Sequence, residues 1–432
     1  MKVYIMSLLV ALAGTGAMAQ PMTLAECRRM ALEHNESVRA AGNAVKQAEY
    51  DRQIAYANYL PKVDGSLMGV YMKDLDMGGS TIRNRGTWLA GINVTQPIYA
   101  GGRITAGNRL ARIGKEISVE KLRQARQQTI ADVDNAYYTL IAVRAKVGML
   151  EALAEQMRSL YESAALGVKA EMSTRNELLR ISAKQSDIEY QLQKARNGET
   201  ICRLSLAGII GLPLDDADIT PADTAIVVQT PAALDEDIGN RPEMNILRKQ
   251  VDAGIQQAKM ERAGYLPTVG LSLGYSHFDN MKMKGSTQLS DGSFAGYTQN
   301  IKEDIPMVML SVQIPLFHWG AELKKTKKAQ LDVENARLQL QQNERAMRIE
   351  VRQAVQNVTD GYRMVETARR GQEEADENLR VMRQKFDVRM ATMTDLLEAQ
   401  SQWQQAHSNY IESLTQYKIY ETEYLRVKGC LE

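Results

Sequence analysis

Two carboxylates near the end of the chain have a spacing that could create a charged site. Asp395 and Glu398 are three residues apart and would lie on one face of a helix. Carboxylates held close together resist simultaneous ionisation, so they attract a cation or a proton. Thr392 and Asp395 also have the spacing of a capping box, which marks a helix start. Capping does not explain Glu398, and the sequence leaves both interpretations of Asp395 open.

The rest of the chain offers no catalytic constellation. Its four histidines form no i,i+4 pair and have no neighbouring cysteine: His34, His277, His318 and His407. There is no P-loop and no G-x-S-x-G motif. The 22 methionines fall mostly at helical core spacing or on strand faces, which favours packing over soft-metal binding. We therefore predict no enzyme, no metal site and no cofactor.

The three cysteines, Cys27, Cys202 and Cys430, are far apart and form no C-x-x-C motif. In an exported protein one pair could form a disulfide, but we expect all three to be small buried apolar side chains. Cys27 follows Glu26 inside a helical pattern, eight residues after a predicted cleavage site. That position argues against a lipid anchor.

The N-terminal segment predicts export. Lys2 precedes a short apolar stretch, Ile5–Ala13, and Ala17-Met18-Ala19 fits a signal-peptidase site. Residues 1–19 are therefore predicted to be a signal peptide. The net charge of +1 gives no basic surface for nucleic acid.

The chain contains an internal tandem repeat. Tyr59-Leu60-Pro61 returns as Tyr265-Leu266-Pro267 at an offset of 206, and Pro97 returns as Pro315 at an offset of 218. A feature present in both copies reflects the shared architecture, whereas a feature present in one copy is a candidate for function. We predict a first repeat over 20–212, a linker or equatorial segment over 213–236, and a second repeat over 237–432.

Long helices are predicted where proline is absent, between Pro97 and Pro213 and again after Pro315. Apolar residues recur there at three- and four-residue spacing, which is coiled-coil periodicity. A helix over 104–166 would be about 90 Å long and would form part of a rod or tube. Each repeat is predicted to hold a helical hairpin, near 104–210 and near 322–428, with breaks at Gly167–Ser173 and Val388–Ala391.

Two alternating segments in each repeat predict β-strands, near 63–72, 87–98, 268–278 and 306–316. The longer segment Asp279–Ile305 is expected to be a loop. We predict that Val308, Leu310, Val312 and Ile314 face lipid while Ser311 and Gln313 face water. A soluble sheet with one buried face is the alternative. Strands in lipid must close into a barrel, and four are too few, so the chain is expected to oligomerise.

Several motifs resemble the TolC-like outer-membrane efflux protein family. Gln96-Pro97-Ile98-Tyr99-Ala100-Gly101-Gly102-Arg103 resembles its strand-to-helix corner, and Ile314-Pro315-Leu316-Phe317-His318-Trp319-Gly320 is the counterpart in the second repeat. Pro97, Gly102, Pro315 and Gly320 are the corner residues. Met390–Glu398 resembles the tip of the family's helical hairpin.

The resemblance implies a mainly α protein with a small β part. Three chains would build a trimeric α-barrel of long antiparallel hairpins and a shared twelve-stranded transmembrane barrel, with four strands from each chain. Asp395 and Glu398 would then lie at the periplasmic entrance constriction. Implied partners are a periplasmic adaptor (membrane fusion) protein and an inner-membrane RND, ABC or MFS transporter.

The sequence thus predicts an outer-membrane channel subunit of a tripartite efflux or type I secretion system, a passive exit duct with a large periplasmic portion. A periplasmic coiled-coil scaffold or adaptor without a pore is the alternative. A barrel protein would require detergent for extraction, whereas a scaffold would not.

Overall fold

A computed structural model describes residues 21–73, 75–76, 80–83, 85–171, 174–214, 219–231 and 233–431. The predicted signal peptide lies outside these residues. The chain divides into two compact units. Unit 1 comprises Met1–Asn43, Glu120–Asn245 and Asn343–Glu432, and unit 2 comprises Ala44–Val119 and Ile246–Gln342. Each unit draws segments from both halves of the chain, so the compact units are not the predicted repeats.

The described residues form seven α-helices: α1 (Leu24–His34), α2 (Glu36–Ala57), α3 (Arg103–Lys169), α4 (Arg175–Ile210), α5 (Pro242–Arg262), α6 (Ala321–Asp387) and α7 (Met393–Lys428). The helices of the two long hairpins have equal lengths in the two halves. α3 and α6 each contain 67 residues, and α4 and α7 each contain 36. None of the helices in the described residues is both long enough and apolar enough to cross a membrane.

The same local signals begin and end α4 and α7. Each helix starts at a threonine whose side chain accepts the N3 backbone N–H, while the N3 carboxylate accepts the threonine N–H. Each ends at a glycine in the left-handed conformation, Gly211 with φ 78° and Gly429 with φ 74°. These signals fix the helix ends from short stretches of sequence.

The strands are β1 (Pro21–Met22), β2 (Lys62–Tyr71), β3 (Leu75–Asp76), β4 (Ser80–Arg83), β5 (Arg85–Ala100), β6 (Thr220–Pro221), β7 (Thr268–Gln288) and β8 (Phe294–Gln313). β1 pairs with β6 in parallel. The other six form one antiparallel sheet in which β2 pairs with β5, β5 with β7, and β7 with β8. β4 also pairs with β7, beyond the end of the β5 ladder, and β3 pairs with β4.

The second pair of strands is much longer than predicted. The segment Asp279–Ile305, expected to be a loop, continues β7 and β8 into a hairpin that turns between Gln288 and Phe294. A register shift after Phe278 adds one residue to β7, and pairing then resumes from Met281 opposite Ile301. Glycine, serine and aspartate suggested a loop, but an existing antiparallel ladder can extend through residues of low strand propensity.

Unit 1 has its own apolar core around α1, α3 and α4. Val133, Tyr137, Leu140, Leu206 and Ile210 are buried in it. The hydroxyl of Tyr137 donates to Asp223 Oδ2 at 2.8 Å. In the same way Tyr417 of α7 donates to the carbonyl of Gln229 at 2.9 Å. Buried tyrosines therefore attach the predicted linker to the helices, because a buried hydroxyl requires a partner.

A buried ion pair also stabilises unit 1. Asp134 of α3 is fully buried, and Arg28 of α1 donates to both of its oxygens at 2.7 and 2.5 Å. Thr422 of α7 donates to Asp134 Oδ2 at 2.8 Å. Burial alone would lower the pKa of Arg28, but the hydrogen bond and the charge of Asp134 outweigh it and raise the pKa. Three helices distant in sequence thus converge on one carboxylate.

The cysteine prediction is correct for one residue of three. Cys27 is buried, and desolvation raises its pKa to about 11. Cys202 is half-buried and Cys430 is exposed. Cys430 directly follows the terminal glycine of α7, where the chain has left the packed helix. All three thiols are free.

Candidate functional site

The end of the second hairpin is a tight turn between α6 and α7. The backbone N–H of Met390 donates to the carbonyl of Lys385 at 2.7 Å, and Arg389 has a positive φ of 60°. Thr392 then caps α7. At the end of the first hairpin, Glu171 likewise has a positive φ of 59° before Thr174 caps α4. At both ends, a residue in the left-handed conformation lies three residues before the capping threonine.

Asp395 completes the capping box at the second tip. Its Oδ2 accepts the backbone N–H of Thr392 at 2.9 Å and the hydroxyl of Thr392 at 2.7 Å. These hydrogen bonds lower the pKa of Asp395 because they stabilise the carboxylate. Asp395 and Glu398 are both exposed, and Glu398 lies one turn further along α7. Asp395 therefore has a structural role and also leaves a charged group at the surface.

The two hairpins pack against each other within unit 1 near these tips. Met393 is buried with Ala164 and Ile181. Trp403 packs against the cluster formed by Leu153, Met157 and Ile188. Arg180 of α4 donates to the hydroxyl of Thr394 on α7. The acidic tip is consequently supported by the first hairpin.

A polar cluster between α6 and α7 was not predicted from the sequence. Asp376 Oδ1 accepts the indole N–H of Trp403 at 2.5 Å and lies 2.8 Å from Nε2 of His407. The rings of Trp403 and His407 are 4.1 Å apart. The i,i+4 spacing of the two rings was visible in the sequence. Asp376 was not, because it comes from another helix.

The sheet of unit 2 separates apolar and polar side chains by face. Val308, Leu310 and Val312 lie on one face of β8, opposite Leu273, Leu271 and Val269 of β7 in the ladder. All three β8 residues are exposed. Ile314, the fourth residue predicted to face lipid, follows the end of β8 and is also exposed. We call this face the apolar face.

The other face carries polar and small side chains on much of β7, and it also carries Met307 and Met309 of β8. Ser311 of β8 is opposite Gly270, and Ser272 of β7 is opposite Thr95 of β5. Asn93 also lies on this face, and its side chain donates to the hydroxyl of Thr95 at 3.0 Å. Because successive residues point to opposite faces of a strand, a sheet of this kind suits an interface between lipid and water.

The strand-to-helix corners depend on backbone conformations that favour glycine. Gly101 and Gly102 have positive φ values of 60° and 85° between β5 and α3, and Gly320 has φ 73° before α6. A Cβ on Gly101 would lie 2.9 Å from the carbonyl oxygen of Ala263, so the close approach also excludes a side chain. Pro97 lies within β5, where the ladder with β7 shifts register, and Pro315 follows β8.

The comparison with known families identifies the class of protein. The sequence model described as "Outer membrane efflux protein" matches residues 28–212 and 233–424. The chain belongs to this family. The proteins of the family are outer-membrane channels, and this chain is an outer-membrane channel protein of efflux or type I secretion with a large periplasmic helical portion.

Curated relatives match this efflux protein over most of its length. The proteases secretion protein PrtF of Dickeya chrysanthemi is 22% identical over 94% of this chain and 87% of its own. The outer membrane efflux protein BepC of Brucella suis is 22% identical over 82% of this chain and 72% of its own.

Solved structures show the same fold. The CmeC outer membrane channel of Campylobacter jejuni matches with a TM-score of 0.78 at 17% identity, over 95% of this chain and 86% of its own. The outer membrane protein VceC of Vibrio cholerae matches with a TM-score of 0.77 at 17% identity, over 94% and 96%.

Within the described part of this efflux protein, no group of three or more histidine, cysteine, aspartate or glutamate side chains is arranged to hold a metal ion. The acidic tip and the two-faced sheet therefore remain the candidate sites.

Proposed function

We propose that three copies of this chain form one passive exit duct, with a shared twelve-stranded barrel in the outer membrane and a twelve-helix tunnel in the periplasm. The observation that carries the proposal is the sheet of unit 2. Among the described strands, β2 and β8 each pair on one side only. Lipid cannot satisfy the backbone groups of an open sheet edge, so the edges must meet strands of other copies.

The proposed number of copies rests on the number of strands that an open barrel needs. Each chain contributes four long strands in the order β2, β5, β7 and β8. Two copies would give a barrel of eight strands, whose interior is filled by side chains. Three copies give twelve strands and leave an open lumen. The apolar face, with Val308, Leu310, Val312 and Ile314, would then contact lipid.

The proposed duct receives its cargo from other proteins and performs no catalytic step. Two relatives carry the names proteases secretion protein and alkaline protease secretion protein, and another is named toxin and drug export protein A. These names support a cargo of secreted proteins or small compounds. A periplasmic adaptor protein and an inner-membrane RND, ABC or MFS transporter would deliver it.

The proposed entrance is the tip of the second hairpin. Around a three-fold axis, Asp395 and Glu398 would form a ring of carboxylates, two from each copy. Such a ring focuses negative potential in a narrow opening and favours cations. The first hairpin differs, because Glu177 and Arg180 at the corresponding tip have opposite charges.

The test combines assembly with conductance. Native mass spectrometry in detergent should give three chains, and a stable monomer would contradict the duct. In planar bilayers, the double variant Asp395→Asn with Glu398→Gln should lose cation preference and become less sensitive to block by divalent ions. Glu177→Gln is the matched control in the first hairpin and should leave selectivity unchanged.

An intact trimer with unchanged selectivity in the double variant would place the constriction elsewhere. The alternative of a pore-free periplasmic scaffold predicts no conductance and extraction without detergent, and the family match argues against it.

A further inference from the structure

The residue types on the apolar face change from one end of the strands to the other. From the end nearest the helices, successive pairs on this face are Val312 with Val269, Leu310 with Leu271 and Val308 with Leu273. Pro306 with Tyr275 follows. Every strand of the β2, β5, β7 and β8 set joins its helix at this same end, because α2 precedes β2, α3 follows β5, α5 precedes β7 and α6 follows β8.

Beyond these pairs, the next side chains of β7 and β8 on this face are charged or aromatic. His277 is opposite Asp304, with its Nδ1 2.7 Å from Asp304 Oδ1, and the ring of Trp88 lies 5.3 Å from that of His277. Ile314 and Asp304 are separated by about 34 Å along an extended strand. At a tilt of about 40° this spans about 26 Å, close to the apolar band of about 25 Å in outer-membrane barrels. Tryptophan is typical of the membrane interface.

Beyond this row, β7 and β8 carry three lysines on the same face. The ladder places Lys282 opposite Asn300 and Lys284 opposite Thr298. Lys302 alternates in register with Asp304 and Asn300, so it shares their face. The backbone of β4 pairs with β7 at this height, with Arg83 opposite Lys282 in the ladder.

On the opposite face, the described residues of the β7–β8 hairpin include no lysine or arginine at this height. Its pairs in the described hairpin are Met281 with Ile301 and Met283 with Gln299. All three lysines therefore point away from the lumen of the proposed barrel. A basic group that served a passing cargo would be expected on the lumen face instead.

The two described acidic side chains of β7 and β8 on this face, Asp279 and Asp304, already have other partners. Asp304 pairs with His277. Asp279 Oδ1 accepts the backbone N–H of Asn280 at 2.6 Å and the amide of Asn300 at 3.4 Å. Among the described side chains, Lys282, Lys284 and Lys302 form no ion pair, and Lys282 and Lys302 are exposed. The lysines are thus available to an external anion.

We propose that Lys282, Lys284 and Lys302 bind the phosphate groups of a phosphorylated glycolipid in the outer leaflet of the outer membrane. The inference rests on the proposed barrel, in which the β7–β8 hairpin end lies opposite the periplasmic helices. The apolar rows would contact acyl chains, Trp88 would lie at the interface, and the lysines would reach the headgroup phosphates. Charge complementarity and the position beyond the apolar band select this ligand.

The test uses the full-length trimer and lipid A as the probe. Native mass spectrometry or a fluorescence titration compares bisphosphorylated lipid A, lipid A without phosphates, and phosphatidylglycerol. The wild-type protein should bind the bisphosphorylated form at least tenfold more tightly than the dephosphorylated form, and salt should weaken this binding. Equal affinities would overturn the proposal without any variant.

The triple variant Lys282→Gln, Lys284→Gln and Lys302→Gln should lose at least tenfold in affinity for bisphosphorylated lipid A. The matched control removes three exposed lysines of α6, Lys324→Gln, Lys325→Gln and Lys328→Gln, and should bind normally.

Normal binding by the first variant, or a loss only in the control, would overturn the assignment. An equal preference of the wild type for phosphatidylglycerol would contradict a glycolipid site. Trimer mass and conductance are measured on the same samples. If the wild-type protein gives no trimer or does not conduct, that result counts against the proposed duct and not against the lipid site.

Discussion

The two halves of the chain share a framework but differ in the side chains placed on it. α3 and α6 have the same length, as do α4 and α7, and both hairpins use a threonine capping box and a terminal glycine. Identical capping signals at equivalent positions show that both halves encode the same helical framework. They carry no information about cargo.

One difference between the halves lies in the second hairpin. Asp376, Trp403 and His407 are linked there, whereas the positions 218 residues earlier hold Arg158, Gln185 and Glu189. Gln185 and Glu189 bond within α4, and Arg158 pairs with Glu155 within α3. The second hairpin is therefore fastened across its two helices by a cluster that the first lacks at the equivalent positions. In a duplicated chain, positions at which the two copies hold different residues are the candidates for specialised function.

The largest expected effect is on the free energy of unfolding when the buried ion pair is broken. Asp134→Ala should cost about 3–5 kcal/mol, because Arg28 would remain partly buried without its partner. The equivalent residue of the second half is Arg352, which pairs with Glu236 at the surface. Arg352→Ala should cost about 0–1 kcal/mol. Urea unfolding of both variants in lipid vesicles measures the contrast, and similar losses would show that the halves do not differ here.

The next effect tests whether the two halves present one continuous apolar face. Val94 of β5 and Val312 of β8 are equivalent residues of the two repeats. Val94→Arg and Val312→Arg should each cost about 2–4 kcal/mol of stability in the membrane. Thr95→Arg and Gln313→Arg, one residue further along, should be tolerated. Equal insertion of all four variants would mean that the register of the strands is wrong.

A smaller effect tests the helix ends. Gly211→Ala and Gly429→Ala should each cost at least about 1–2 kcal/mol, because an alanine resists the left-handed conformation. A Cβ on Gly429 would also lie 2.6 Å from the carbonyl oxygen of Asn240. The control is Gly102→Ala, which has a positive φ but no atom within 4 Å of the added Cβ. Thermal midpoints of the detergent-extracted protein should fall more for the two end variants than for the control.

The smallest effect concerns the capping boxes. Thr174→Ala and Thr392→Ala should each cost about 1 kcal/mol.

The second capping box should also depend on pH. The folded-state pKa of Asp395 is lowered, so its stabilisation of the α7 start is present at neutral pH and is lost as the pH falls below the ordinary value of 3.8. Hydrogen exchange at the start of α7, corrected for intrinsic rates, should rise in acid. Asp395→Asn should remove this acid dependence, and its persistence would assign the effect to another group.

Local signals explain why much of the helical framework was predictable. The absence of proline placed the predicted helix 104–166 close to α3, Arg103–Lys169. The capping spacing of Thr392 and the end of the predicted hairpin 322–428 likewise agree with α7, Met393–Lys428. The strands were less predictable, because β7 and β8 extend by pairing with each other and not through the propensities of their own residues. The short strands β3 and β4 within Lys73–Gly86 were missed for the same reason.

The sequence by itself determined the features that depend on neighbours along the chain. These are the repeat, the helix ends, the alternation of apolar residues in β8 and the acidic spacing of Asp395 and Glu398. The tertiary structure alone decided which distant groups meet. The partners of Asp134 are 106 and 288 residues away, and Asp376 reaches His407 across 31 residues. Side-chain spacing encodes a face of a helix or strand, whereas packing decides what that face contacts.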